Sequence, residues 1–103
     1  MSHTVTYARG ALSARVAATV GQTGFQVDSG YGLFQEVTSR DFIIDVADLA
    51  AFGEPARGDR ITESLNDSDE VFEVLAPGAE PHFVFSGPDR MVFRIHTKHV
   101  ESA

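Results

Sequence analysis

Cysteine and tryptophan are both absent from the 103 residues. Without Cys there is no disulfide, no thiolate metal site and no cysteine nucleophile. Stability has to come from packing, or from assembly with other copies. Long apolar runs are missing too, so no segment suits a bilayer crossing. The N-terminal stretch MSHTVTYARG lacks the apolar centre of a signal peptide. These absences describe a soluble protein made in the cytoplasm. Catalytic signatures are equally scarce. No Ser lies in a G-x-S-x-G elbow, and no Gly-rich segment matches a phosphate loop or a dinucleotide fingerprint. Ser64 or Ser86 can be combined with some His and Asp, but three residue types can be found in any hundred positions. Asp69 and Glu70 are adjacent, so on a strand they point apart. The chain reads as a non-enzyme with no cofactor.

What is present is a short, phenylalanine-rich chain. Its length suits one domain, residues 1–103, able to bury about 60–70% of its unfolded surface. Hydrophobic residues make up 43% of it and Phe occurs eight times, which predicts an aromatic core built from sheet. Formal charge is −7, and its distribution is uneven. Residues 28–80 hold 13 acids and 3 bases, while the remainder holds 2 acids and 5 bases. An acidic middle with basic ends could join copies head to tail, although a solvated acidic face is the plainer reading. Net acidity argues against nucleic-acid binding, which needs cations.

The pattern along the chain is organised around 55–75, PARGDRITESLNDSDEVFEVL. Runs at Arg60–Leu65 and Glu70–Leu75 flank the turn cluster Asn66-Asp67-Ser68-Asp69 and read as a hairpin. Further strands are predicted at Thr23–Asp28, Leu33–Thr38, Phe42–Val46, Phe83–Phe85 and Met91–Thr97. Ser39-Arg40-Asp41 reads as a short connection, and Ala47–Phe52 as a brief helical turn. In the last strand Met91, Phe93, Ile95 and Thr97 face one way. Val92, Arg94 and His96 face the other. Leu12, Val16 and Val20, at i, i+4 and i+8 among five alanines, predict an N-terminal helix over Tyr7–Val20 that Gly21 ends. A rival reading starts a strand at Ala17–Val20. Residues 1–6 and 98–103 read as mobile ends. The expected fold is mainly β: a small antiparallel barrel or sandwich of six to seven short strands with one N-terminal helix.

Three motifs have dull explanations. Arg57-Gly58-Asp59 spells the integrin tripeptide but reads as a tight turn entering a strand. Residues 66–70 are rich in oxygen ligands, yet position 71 is Val and position 77 is Pro, so an EF-hand frame from Asn66 fails. His82, His96 and His99 read as solvated histidines, because 96 and 99 point to opposite faces of a strand.

Arg40–Val46, Ala47-Asp48-Leu49, the step Pro55-x-x-Gly58-Asp59-x-Ile61 and Val71-Phe72-Glu73-Val74 follow one another in an order that carries a resemblance. Over about residues 33–97 the chain resembles the small head–tail joining and head-completion proteins of tailed bacteriophages, of the lambda-like attachment type. Phe72 stands where Tyr is more usual, and the Pro-rich 76–81 has no counterpart in the pattern. The resemblance implies a non-enzymatic virion protein forming a ring between the DNA-filled capsid and the tail. Its implied partners are copies of itself, portal or adaptor proteins and tail proteins. DNA would pass through without sequence-specific contact, and no membrane is involved. A tail terminator or minor tail subunit is the first alternative. A small monomeric β-module with a Phe-lined ligand pocket is the second. The residues expected at a subunit interface are Arg90, Arg94 and Lys98, facing Asp67, Asp69 and Glu70 of the next copy.

Overall fold

The computed structural model describes residues 2–30, 32–65, 68–76 and 81–102. Seven strands are formed: β1 (Ser2–Arg9), β2 (Leu12–Gly30), β3 (Leu33–Asp45), β4 (Arg60–Leu65), β5 (Ser68–Val74), β6 (Phe83–Phe85) and β7 (Val92–Ser102). A single 3-10 turn, Val46–Leu49, follows β3. All pairings are antiparallel, in the order β3-β2-β1-β4-β5-β7-β6. An additional β3–β7 ladder brings the sheet round onto itself, with Ile43 opposite Arg94 and Arg40 opposite Thr97.

The N-terminal helix expected over Tyr7–Val20 is not formed. That segment is the end of β1, a two-residue turn at Gly10-Ala11, and the first half of β2. Gly10 has φ 61°, a backbone state a glycine accepts readily. The physical reason for the misreading is arithmetic. Positions four apart share a face on a strand as well as on a helix. Val16 and Ala18 point inward with half-buried Ala14 and Val20, while Ser13 and Ala17 are exposed. Tertiary pairing of β2 with β1 overrides the helix propensity of the alanines. Residues 2–6 and 98–102, within the ends read as mobile, lie in strands, with Ser2 opposite Thr19 and Ser102 opposite Glu70. Nor are all strands short. β2 has 19 residues and β3 has 13, because Ser39-Arg40-Asp41 continues a strand instead of connecting two.

The core is aromatic, as expected. Tyr7, Phe42, Phe52, Phe72 and Phe93 are buried with Val5, Ile44, Leu49, Ile61, Val74 and Ile95. Rings meet edge to face: Tyr7–Phe52 at 4.9 Å between centroids, Phe42–Phe72 at 5.4 Å and Phe83–Phe93 at 5.4 Å. Of the face read as Met91, Phe93, Ile95 and Thr97, the last three are buried, whereas Met91 is exposed and His96 on the other face is buried.

Two polar clusters lie among the inward-facing positions. Glu63 shares its face of β4 with Ile61 and is fully buried. It accepts from Arg40 at 2.7 and 3.0 Å and is in contact with His3. Arg40 also lies over the Phe72 ring, 5.2 Å from its centroid. Four residues along, Asp59 accepts from Arg9 at 2.9 Å, from the Ala56 backbone N–H at 2.9 Å and from the Tyr7 hydroxyl. Burial and then the bond to Asp59 push the Tyr7 phenol above its ordinary value. Burial alone would raise Asp59, but its donors outweigh that and hold it below the usual carboxylate range. Among the described residues every buried side-chain polar atom has a partner.

Candidate assembly surface

β1 covers β2 only as far as Thr19, and β7 covers β3 only from Arg40 onward. Beyond those points the two strands pair only with each other, from Thr23–Ser39 out to Gly30–Leu33. The result is a two-stranded arm projecting from the closed body. Gly30 and Gly32 lie at its tip, at φ 93° and φ 73°. The register shifts by one residue between Asp28 and Gly30, the signature of a bulge. From residue 33 to residue 38 every position of β3 is exposed. Phe34 is 70% exposed and Leu33 64%, the two highest values among large apolar side chains described. An isolated two-stranded ribbon is marginal in water, so this arm depends on its root.

The root is organised by Asp41, which is fully buried. Its carboxylate accepts from Ser39 Oγ at 2.6 Å, from Arg94 Nε at 2.7 Å and from the Thr23 hydroxyl. His96 Nδ1 lies 2.8 Å from it. Burial pushes this carboxyl up, and the bonds from Ser39, Thr23, His96 and Arg94 more than compensate, so it sits below the usual range. Arg94 also donates to the Gln22 carbonyl at 3.0 Å. One guanidinium from β7 thus ties both strands of the arm to the body. Ser39, His96 and Asp41 are the residue types of a nucleophilic triad, but the serine donates to the aspartate here and all three are buried. The arrangement is a brace, with no exposed nucleophile.

The six residues expected at an interface are distributed as follows. Arg94 is engaged at the arm root within its own chain. Glu70 is half-buried and receives Ser102 at 2.6 Å, with His99 also at 2.6 Å; those bonds lower its carboxyl from the ordinary value. Asp69 is exposed and accepts from Ser64 at 2.7 Å. Lys98 is exposed and stands opposite Glu73 in the β5–β7 register. Arg90 is exposed, has φ 56°, and lies over the Phe85 ring at 5.4 Å. Asp67 lies outside the described residues, as do Asn66 and most of the Pro-rich 76–81 segment. Glu70 lies beside the far end of β7, opposite Ser102, whereas Arg90 precedes its start.

Other sequence motifs resolve structurally. The Asp of Arg57-Gly58-Asp59 is buried against Arg9 and Tyr7, and Gly58 takes φ 92°. This is a tight turn. The histidines are not simply solvated. His96 is buried, His3 and His99 meet carboxylates, and His82 Nε2 lies 2.7 Å from the Pro55 carbonyl. A shallow depression of about 160 Å³ is lined by Ala17, Ala18, Thr19, Ile43, Asp45 and Asp48. No helix among the described residues is long and apolar enough to cross a membrane.

Sequence reasoning missed the arm and its brace. The alternation of Leu33–Thr38 was legible, but its lack of an inward face appears only once the neighbours are known. An acid at 41 bordering the most apolar run of the chain was the available signal for the brace.

No curated protein and no solved structure matches the chain. A family model does, described as phage head-tail joining protein, and it matches residues 1–103, the whole length. The β body carries a braced, projecting arm, and the chain belongs to the phage head-tail joining protein family.

Proposed function

We propose that this protein assembles as a ring at the connector, between the DNA-filled head and the tail. The observation that carries this reading is the arm. A chain that displays Phe34 and Leu33 on a braced ribbon exposes surface that becomes favourable only on docking. The curl of the sheet through the β3–β7 ladder is read as a small barrel whose outer face meets neighbouring copies. Net charge also fits. Three arginines, Arg9, Arg40 and Arg94, neutralise the buried Asp59, Glu63 and Asp41. The acids left outside outnumber the bases, and a wall of that sign repels DNA moving past it. Of the charges first expected to join copies, Arg90, Lys98 and Asp69 remain available on the surface, at two ends of β7. Side-to-side contacts between unlike surfaces of neighbouring copies close into a ring when the rotation allows. Tail termination is a related role that the same arm could serve. A ligand-binding module draws little support from a depression of about 160 Å³, since ligand sites span roughly 300–1,000 Å³.

The test is genetic and structural. Removal of the gene leaves filled heads and separate tails, and supplying the protein in trans restores joined particles. Imaging of those particles resolves several copies around the junction. Normal joining without the protein, or one copy per particle, overturns the reading.

A further inference from the structure

We propose that the tip of the β2–β3 arm docks into an apolar cleft rimmed by lysine or arginine on a different virion protein, and not on another copy of this chain. The inference rests on the junctional role above and names the partner chemistry of the arm.

Three observations carry it. Leu33 and Phe34 are successive strand residues, so they point to opposite faces of the ribbon, and both are more than half exposed. Val37 adds a third apolar side chain on the Leu33 face. A ribbon apolar on both faces is buried by a two-walled cleft, because a flat surface would cover only one of them. Secondly, the arm is acidic. Residues 22–39 include Asp28 and Glu36 and no Lys or Arg. The β4–β5 hairpin and the end of β7 point the same way along the molecule and add exposed Asp69 and Glu101, with Lys98 opposed. The matching rim is cationic.

Thirdly, this chain does not offer such a rim. Arg9, Arg40 and Arg94 are engaged with buried carboxylates. Arg60 lies against Glu101 at 2.8 Å and Glu73 at 3.8 Å. The end of the body opposite the arm exposes Arg15, Arg57 and Arg90, but among the four acids Asp45, Asp48, Glu54 and Asp89. Both ends of the molecule therefore carry net negative charge, and placing one against the other sets like charges together. β3 is long on the scale of the molecule. From residue 33 to residue 45, β3 covers twelve steps of about 3.4 Å, roughly 40 Å, close to the longest dimension of 43 Å.

The photoreactive phenylalanine analogue p-benzoylphenylalanine is placed at position 34, and complete particles are assembled and irradiated. The expected product is an adduct of this 11.1 kDa chain with another virion protein, lost when Glu36→Lys is present. Joining by Phe34→Ser and by Glu36→Lys falls about tenfold or more, with the thermal midpoint of the purified protein unchanged; such a drop corresponds to about 1.4 kcal/mol of docking energy. Rejoining of heads and tails by the wild-type protein weakens as salt rises. An adduct of twice the chain mass, in particles holding several copies, overturns the proposal and leaves the ring intact. No adduct at position 34, with joining by Phe34→Ser unimpaired, also overturns it. Absence of the protein from joined particles removes both this proposal and the junctional reading.

Discussion

Asp41→Asn tests the brace at the arm root. The substitution preserves shape but removes the charge that Arg94, His96, Ser39 and Thr23 all meet. Breaking a buried ion pair by neutralising one partner costs about 3–5 kcal/mol, chiefly because the other charge is left unpaired. Arg94 keeps 30% of its side chain in water, so part of its charge is re-solvated and the lower end applies, about 3 kcal/mol. Against a native stability of about 5–15 kcal/mol, that is a large fraction. At about 4–8 °C per kcal/mol for a domain of this size, the thermal midpoint falls by roughly 12 °C or more. Ser39→Ala removes one donor of four and costs about 1 kcal/mol. Urea unfolding followed by circular dichroism measures both. Limited proteolysis adds a local readout, because the arm of Asp41→Asn is cleaved faster than the body. A cost below about 1 kcal/mol for Asp41→Asn, or a smaller cost than for Ser39→Ala, refutes the view that this carboxylate organises the root.

Three further outcomes follow from the geometry. Asp41 and Asp59 both have folded-state values below their unfolded ones, so their stabilisation is fully present above the unfolded carboxylate range, near pH 4, and is lost as pH falls through the folded values; midpoint urea concentrations measured from pH 6 down to pH 2 stay level and then drop below about pH 4, and a rise there contradicts the assignment. Tyr7→Phe deletes a hydroxyl donor to Asp59 while Arg9 and the Ala56 N–H remain, for a loss of about 1 kcal/mol by chemical unfolding. Phe34→Ser, at a side chain 70% exposed, changes unfolding free energy by less than about 0.5 kcal/mol, so any large shift on unfolding shows the arm tip to be packed against the body.

How much the sequence disclosed depends on the range of the interaction. The β4–β5 hairpin was legible because its two alternating runs lie within sixteen residues, and the faces of β7 because Phe93, Ile95 and Thr97 keep strict period two. The N-terminal strands were not, because Leu12, Val16 and Val20 fit both periods and the alanines tilted the choice. The carboxylate–arginine pairs were hidden for another reason. Asp41–Arg94, Asp59–Arg9 and Glu63–Arg40 join residues 53, 50 and 23 positions apart. Counted along the chain, those acids and bases looked like an acidic region with basic ends. In space three of those acids are met by arginines inside the fold, and Arg94, first read as an intermolecular contact, serves its own arm. Glu63 did leave a trace, sharing parity with Ile61.

The way the arm enters the body bears on mechanics. Tension applied at the tip runs down β2 and β3 together and is resisted where β2 lies along β1 through eight residue pairs and β3 lies along β7 through six. Antiparallel ladder bonds stand perpendicular to the strands, so an axial pull shears these rungs simultaneously, whereas a sideways pull would unzip them singly. A joint carrying the weight and recoil of a tail is strongest when loaded along that line.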